Sequence, residues 1–239
     1  MPRGDSTGIH VQQAVAVVGG TGAEGSGLAL RFAKAGMRVL IGSRSPEKAQ
    51  ATAKKIAERS RANDVTGHAN PEAVSKAAII ILTVPLSAQV ETLKSVRTSF
   101  VPGSIFVDAT VPLEIAVGGR LSRTLNLWDG SAAQQAARLV PPGISVVAAF
   151  HGLAAEALAR LDQRVDCDVL ICGDNAEAKA TVSALAENIS GVRAIDAGPL
   201  DHARYLETSA ALLIALNLRH KVSHSGLRIT GLGLGEPRL

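Results

Sequence analysis

The apolar run Ala14-Val15-Ala16-Val17-Val18 leads straight into Gly19-Gly20-Thr21-Gly22-Ala23-Glu24-Gly25, which sets glycines at 20, 22 and 25 in the spacing G-x-G-x-x-G. An apolar helical stretch follows, Leu28 to Ala35. A second strand, Arg38 to Ile41, ends at Gly42-Ser43-Arg44. Strand, glycine turn, helix, strand is the order a dinucleotide-binding fold requires. Gly20 permits the tight turn out of the strand. Gly22 lets a pyrophosphate approach the backbone N–H groups at the helix start, where the helix dipole favours an anion. Gly25 lets the helix pack closely on the sheet. The alternative reading is a glycine-rich loop in some other doubly wound domain.

The end of the second strand selects the dinucleotide. A site for the unphosphorylated form places Asp or Glu there to hold the ribose 2′-hydroxyl. This chain has Ser43 and Arg44, with Lys48 one turn into the next helix. A hydroxyl, a guanidinium and an ammonium bind a 2′-phosphate that a carboxylate would repel, so the residues point to NADP. The competing reading makes Arg44 and Lys48 a solvated basic face.

The bulk numbers narrow the class. The 239 residues are 46% hydrophobic and 19% charged, with a net charge of +4, which describes a globular chain rather than a disordered one. The charges are dispersed and aromatics are 3%, so neither a basic patch nor a base-stacking platform for nucleic acid is expected. The first dozen residues, Met1 to Gln12, are polar and do not resemble a signal peptide. No run of 18 apolar residues marks a membrane span, so a cytoplasmic enzyme is expected. Cys167 and Cys172 are five apart, which puts them on opposite faces of one strand, as buried thiols rather than a disulfide or metal pair.

Further along, Ser45-Pro46-Glu47 predicts a helix capped by Ser45 and running to about Arg61, and Asn70-Pro71-Glu72 a shorter one begun in the same way. Strands are expected over Ala78–Thr83, Ile105–Asp108, Ser145–Phe150, Asp168–Cys172 and Val192–Asp196. Helices are expected over Ser131–Leu139, from Asp174 to about Asn188, and from Asp201, as N-cap, to near His220. The alternation implies an α/β fold: a Rossmann-type doubly wound, mostly parallel sheet with a small C-terminal α/β lobe. The expected organisation is a flexible tail over 1–12, an NADP-binding domain over 13–143 ending at Pro141-Pro142-Gly143, and a lobe over 144–239 completing a second site.

Several segments together resemble the NADPH-dependent reductases of the deazaflavin coenzyme F420. They are the glycine turn with Gly27-Leu28-Ala29-Leu30-Arg31, Gly42-Ser43-Arg44 with Glu47-Lys48, Leu82-Thr83-Val84-Pro85, Gly130-Ser131-Ala132-Ala133-Gln134, Cys172-Gly173-Asp174 and Asp196-Ala197-Gly198-Pro199-Leu200. The resemblance covers most of residues 14 to 217 and implies hydride transfer between NADP(H) and F420. It implies NADP phosphates on Thr21, Gly22, Ala23 and Glu24, beside Gly20, and a 2′-phosphate on Ser43, Arg44 and Lys48. Val84, Pro85 and Gln89 would line the adenosine and ribose side, and Thr110 and Ala155 the nicotinamide. His151, Pro199 and Leu200 would lie against the deazaflavin. The chain departs from the pattern at Gly152-Leu153-Ala154-Ala155 and in its tails.

Direct hydride exchange between two rings needs positioning and the exclusion of water, and neither a nucleophile nor a metal. In keeping with that, no catalytic residue is assigned, and no Ser/His/Asp order, H-E-x-x-H or zinc spacing stands out. His151 has two readings: a hydrogen-bond donor to the second cofactor, or a strand-end histidine bonded to backbone. His220 and His224, four apart, would share a helix face, as solvated residues. Trp128 would cover the lobe interface or close over a ligand. Two other functions stay open: an NADPH-dependent reductase of another carbonyl, imine or flavin, with His151 or Tyr205 as proton donor, and a non-catalytic NADPH-binding module. The apolar stretch Ala210–Leu218 suggests a homodimer face.

Overall fold

The computed structural model describes residues 14–233. Strand β1 (Val15–Val18) is buried along its whole length between two parallel neighbours. It is followed by α1 (Ala23–Lys34), β2 (Val39–Ser43), α2 (Pro46–Ser60), β3 (Val65–Ala69), the short α3 (Asn70–Ser75), β4 (Ile79–Leu82), α4 (Leu86–Val96) and β5 (Ile105–Asp108). An irregular excursion over 109–131 contains a 3₁₀ turn at Glu114–Val117. Then come α5 (Ala132–Leu139), β6 (Ser145–Ala148), α6 (Ala155–Ala159), β7 (Cys167–Gly173), α7 (Ala176–Ala186), β8 (Val192–Asp196) and α8 (Ala203–His220).

The eight strands form one sheet in the order β3-β2-β1-β4-β5-β6-β7-β8, parallel throughout except where β7 runs against β6. The α/β, doubly wound and mostly parallel reading is therefore what the chain adopts. Side chains alternate between two cores, as the two-residue period of a strand requires. Val15, Val17, Ile79 and Ile81 face one, while Ala16, Val18, Ile80 and Leu82 face the other. The strand order reverses between β1 and β4, and this switch point opens a crevice at the carboxyl ends. Pro141-Pro142-Gly143 forms the turn between α5 and β6, and the sheet continues across it.

Local signals explain most boundaries. Ser45 Oγ accepts the Lys48 N–H at 3.3 Å and Pro46 opens α2. Ser131 caps α5 in the same way through Gln134 N–H. Cys167 and Cys172 are buried free thiols on β7, packed into different clusters. Burial pushes the Cys172 thiol up to about 12.

Five expectations need correction. Asn70 is the first residue of α3 rather than its cap, a place taken by Ala69. Strand β6 stops at Ala148, because Phe150 adopts φ 73° and turns the chain out of the sheet. Asp201 caps nothing: it lies in the 3₁₀ turn Leu200–His202, and α8 starts without a side-chain cap. His224 lies beyond the left-handed Lys221 that ends α8, so it shares no helix face with His220. Trp128 is 98% exposed and covers nothing among the described residues.

Strand β3 was missed in the sequence, since Val65-Thr66-Gly67-His68-Ala69 mixes polarities as an edge strand does. Gly67 is required there: a Cβ would stand 2.3 Å from the Ala49 carbonyl carbon, so α2 lies directly on the strand. The expected tail over 1–12 lies outside the described residues. The segment after α8 is tied to β7. Asp168 donates its N–H to Leu227 O at 2.7 Å, and its buried carboxylate pairs with Arg193 and Arg228 and accepts the Ile229 N–H. Among the described residues no helix is long and apolar enough to cross a membrane.

Candidate active site

The glycine turn does what its spacing predicts. A Cβ on Gly25 would lie 2.4 Å from Thr83 Oγ1, so α1 reaches the end of β4 only because that position is bare. Gly22 stands before α1 with no side-chain cap and open space in front of it, where a Cβ would meet nothing nearer than Gly19 O at 3.4 Å. The first turn of α1 thus presents uncapped N–H groups and the positive end of its dipole to the crevice. Gly20 lies behind this face, its N–H shared between Val17 O and Gly42 O at 3.2 Å each.

Two cavities meet around that helix end and share Gly22, Thr83, Val84 and Pro85. The smaller, about 280 Å³, is lined by Thr21, Ser43, Arg44, Lys48 and Asn70, with no carboxylate. Ser43 Oγ accepts the Ser45 N–H at 3.2 Å. The exposed Arg44 and Lys48 side chains make no hydrogen bond or ion pair with other described residues. Asn70 also lines this cavity; it is 5% exposed, and its buried Oδ1 has no hydrogen-bond partner among the described residues. Sequence reading missed it as a site residue, because its position at the end of β3 shows only once β3 is recognised.

The larger cleft, about 940 Å³, has mostly apolar walls. Val84 and Pro85 follow β4. Leu153, Ala154 and Ala155 lead into α6. Val111, Leu113 and Ile115 come from the excursion after β5, and Ala210, Leu213, Ile214 and Asn217 from one face of α8. The α8 set lies at i, i+3, i+4, i+7 within the Ala210–Leu218 stretch expected as a homodimer face, and it lines the cleft instead, whereas the excursion carries no such period. Arg31 holds α6 in place: the buried guanidinium donates to Leu158 O at 2.9 Å, to Ala157 O at 2.7 Å and to Arg160 O. A five-residue helix does not stand alone, and these bonds satisfy carbonyls at its C-terminal end.

At the base of the cleft His151 is 8% exposed and neither ring nitrogen has a well-formed hydrogen bond. Burial pushes its imidazole down to about 4, against an opposing pull from the Thr110 backbone. The buried Thr110 Oγ1 is also without a partner, while its N–H donates to Asp108 Oδ1 at 2.6 Å. Asp108 is fully buried. Burial pushes its carboxyl up to about 6, and the bonds from Thr110 and Gln89 oppose this. Gln89 does not face either cavity, contrary to expectation. Its Nε2 donates to Asp108 Oδ2 at 2.6 Å and to Ala132 O, and its Oε1 accepts from Gln135, so it is a strut beneath the site. Pro199 and Leu200 also lie apart from His151, in a separate depression with Asp129, Arg138 and Asp174, where Asp174 accepts the Leu200 N–H.

Glu207 accepts the N–H groups of Ala132 at 3.0 Å and Ala133 at 3.1 Å, fastening α8 to the start of α5. Burial pushes it up to about 8, although both N–H bonds pull the other way. Among the described residues no cluster of three or more metal-ligating side chains occurs.

The open parallel sheet, the bare glycine turn at its switch point and a carboxylate-free basic cavity define a Rossmann-class dinucleotide-binding protein. Residues 14–112 match the family described as NADP oxidoreductase, coenzyme F420-dependent. The chain is 47% identical over 221 residues to the F420-dependent NADP reductase of Methanothermobacter thermautotrophicus, covering 91% of this chain and 95% of that protein. It is 40% identical over 222 residues to the F420-dependent NADP reductase of Methanocaldococcus jannaschii, covering 91% and 98%. A crystal structure from Arthrobacter sp. FB24 shares the fold with a TM-score of 0.78 at 23% identity, covering 92% of this chain and all of the other. The chain belongs to the F420-dependent NADP reductase family.

The raised Glu207 carboxyl has a consequence for stability. Its folded-state value lies above the unfolded one, so the folded state binds the extra proton, and stability is lost as pH rises from about 4.5 through about 8. The melting temperature in a calorimetric pH series is expected to fall across that window. In Glu207→Gln, which keeps an oxygen acceptor, the fall should shrink by roughly 2–4 °C. An unchanged pH slope in the variant would contradict this account of the α5–α8 joint.

Proposed function

We propose that this chain transfers a hydride between NADP(H) and coenzyme F420 in the larger cleft. The observation that carries the reading is the continuity of the two cavities around the uncapped start of α1. One is basic and free of carboxylates, and the other is apolar and ends at a buried histidine with neither ring nitrogen in a well-formed hydrogen bond. NADP fits the first. Thr21, Gly22, Ala23 and Glu24 would hold the pyrophosphate, chiefly through backbone N–H groups. Ser43, Arg44 and Lys48 would hold the 2′-phosphate, and Asn70 the adenosine.

A flat ring system fits the second cavity, with Val84, Pro85 and Ala155 as its walls and His151 beside Thr110 as its polar end. When both are bound, the dihydronicotinamide supplies the hydride from its carbon 4 to carbon 5 of the deazaflavin, and a proton from solvent completes the reduction. The chain's own share is positioning and dryness. The apolar walls exclude water, Arg31 fixes the α6 wall, and Asp108 with Gln89 fixes the floor.

A neutral imidazole retains one donor and one acceptor, which suits hydrogen bonding to a ring oxygen or nitrogen more than proton transfer. His151→Ala is therefore expected to raise KM for F420 by about tenfold while leaving kcat within a few-fold. A collapse of kcat at saturating F420 would instead favour a proton-dependent reduction. Arg44→Ala is expected to raise KM for NADPH by about tenfold or more with little change for NADH. Equal effects on the two would refute the 2′-phosphate assignment.

The exposed face of α8 with Tyr205, Leu212 and Leu216, at spacings of seven and four, is where we place a homodimer contact. Sedimentation at micromolar concentration should give twice the 24.6 kDa chain mass, and Leu212→Glu should halve it. A monomer in the native protein would exclude this contact. A cytoplasmic setting fits a reaction between two diffusible coenzymes.

A further inference from the structure

We propose that Arg228 is a positioning residue for the second ring: it clamps residues 222–229 in place as a wall of the larger cleft. The inference rests on that cleft taking the F420 ring. After the left-handed Lys221 ends α8, the chain turns back to β7 and runs on without helix or strand. Ser223 and Ser225 join the lining of the cleft, together with Asn217 of α8 and Glu156 of α6. Ser225 also borders a second hollow of about 110 Å³, with Arg160, Arg164 and Cys167. The segment is therefore a partition with space on both sides. None of residues 222–229 is buried, so no apolar core holds the partition where it stands. Polar bonds at its two ends do so instead.

At the α8 end the Ser225 N–H donates to Asn217 Oδ1 at 3.1 Å. At the β7 end the anchor is the buried Asp168. Its N–H donates to Leu227 O at 2.7 Å, and its carboxylate accepts the Ile229 N–H at 2.7 Å. Arg228 closes the clamp. Its Nη1 donates to Asp168 Oδ1 at 2.6 Å, its Nε to Asp166 Oδ1 at 2.7 Å and its Nη2 to Gly191 O at 2.7 Å. A guanidinium spread over three acceptors in a rigid fork fixes the direction of the segment as well as its distance. Between the two ends Gly226 crosses β7 so closely that a Cβ would lie 3.1 Å from Cys167 Sγ. Arg228 itself lines neither the cleft nor the basic cavity, so it reaches a ligand only through the segment.

Loss of Arg228 does not strip Asp168 of its charge partner. Arg193 on β8 keeps a bidentate pair, Nε to Oδ1 at 2.9 Å and Nη2 to Oδ2 at 2.7 Å. The buried carboxylate stays compensated, so the segment is released while the sheet stands. A released wall must be ordered again by each ligand that leans on it, and that cost weakens binding. No residue of the segment lines the basic cavity, so the phosphorylated adenosine is indifferent to it.

Arg228→Gln in the full chain tests this. Its KM for F420 is expected to rise about fivefold or more, with kcat reduced by less than about threefold. The dissociation constant of adenosine 2′,5′-bisphosphate, a probe of the basic cavity alone, should stay within about twofold of wild type. Hydrogen exchange followed by mass spectrometry supplies the second readout. Amides of residues 222–229 should exchange faster in the variant, and in the wild type F420 should slow them while the bisphosphate does not. Faster exchange with an unchanged KM for F420 would show that the segment is no wall for the ligand. Unchanged exchange would show that Arg228 is not its clamp. Either result overturns the inference, as does an equal weakening of F420 and the bisphosphate, which would leave Arg228 a merely structural residue. A wild type that binds the bisphosphate but not F420 would overturn the reading of the cleft, and this inference with it.

Discussion

The tight approach of α1 to the sheet at Gly25 organises the molecule. With no side chain at Gly25, the helix comes within van der Waals range of Thr83, whose Oγ1 donates to Val18 O at 3.1 Å and joins the ends of β1 and β4. Those two strands flank the point where the sheet order reverses. The uncapped first turn of α1 is therefore held at the mouth of the crevice, and both cavities are the space left around it. A methyl group at position 25 would meet not only Thr83 but also Gly19 O at 2.9 Å, with no flexible side-chain end to move aside.

From that contact follows a division of labour by polarity. On the β2 side the free charges are cationic, and they stand on an exposed helix start where ordering them takes little desolvation. On the β5–β6 side the polar groups are buried, and most are committed to one another. Gln89 joins Asp108 to the start of α5, and Glu207 joins α5 to α8. Arg31 joins α1 to α6. Both strut systems run between walls of the same cleft, so its shape depends on buried hydrogen bonds that are expensive to leave unmade. His151 and Thr110 stand apart from this economy, with polar atoms that the folded chain leaves unsatisfied. Groups of that kind at the floor of an apolar cleft call for a ligand.

Much of the first half was legible because each feature there is local. The G-x-G-x-x-G turn, the Ser45-Pro46 cap and the apolar runs of β1 and β4 carry their meaning within a few residues. Ser43, Arg44 and Lys48 could be placed on one cavity because a strand end and a helix start fix them both. What failed depended on partners distant in the chain. Gln89 was expected beside the ligand, yet its bonds to Asp108 and Ala132 draw it under the floor. Pro199 and Leu200 were expected against the second ring, yet the antiparallel turn of β7 and the Asp174 bond to Leu200 carry them to another depression. Asn70 went unnoticed because β3 is a mixed-polarity edge strand. The excursion after β5 contributes cleft walls through packing that no periodicity announces.

In the proposed reaction a dry cleft passes a hydride directly from one bound ring to the other. Isotopic labelling tests it most directly, with NADPH carrying deuterium at the transferable position of carbon 4, oxidised F420, and ordinary water as solvent. Full recovery of the deuterium at carbon 5 of the reduced deazaflavin, with none in solvent, is the predicted result. Loss of the label to water, or reduction of F420 by a route that leaves carbon 5 unlabelled, would contradict it.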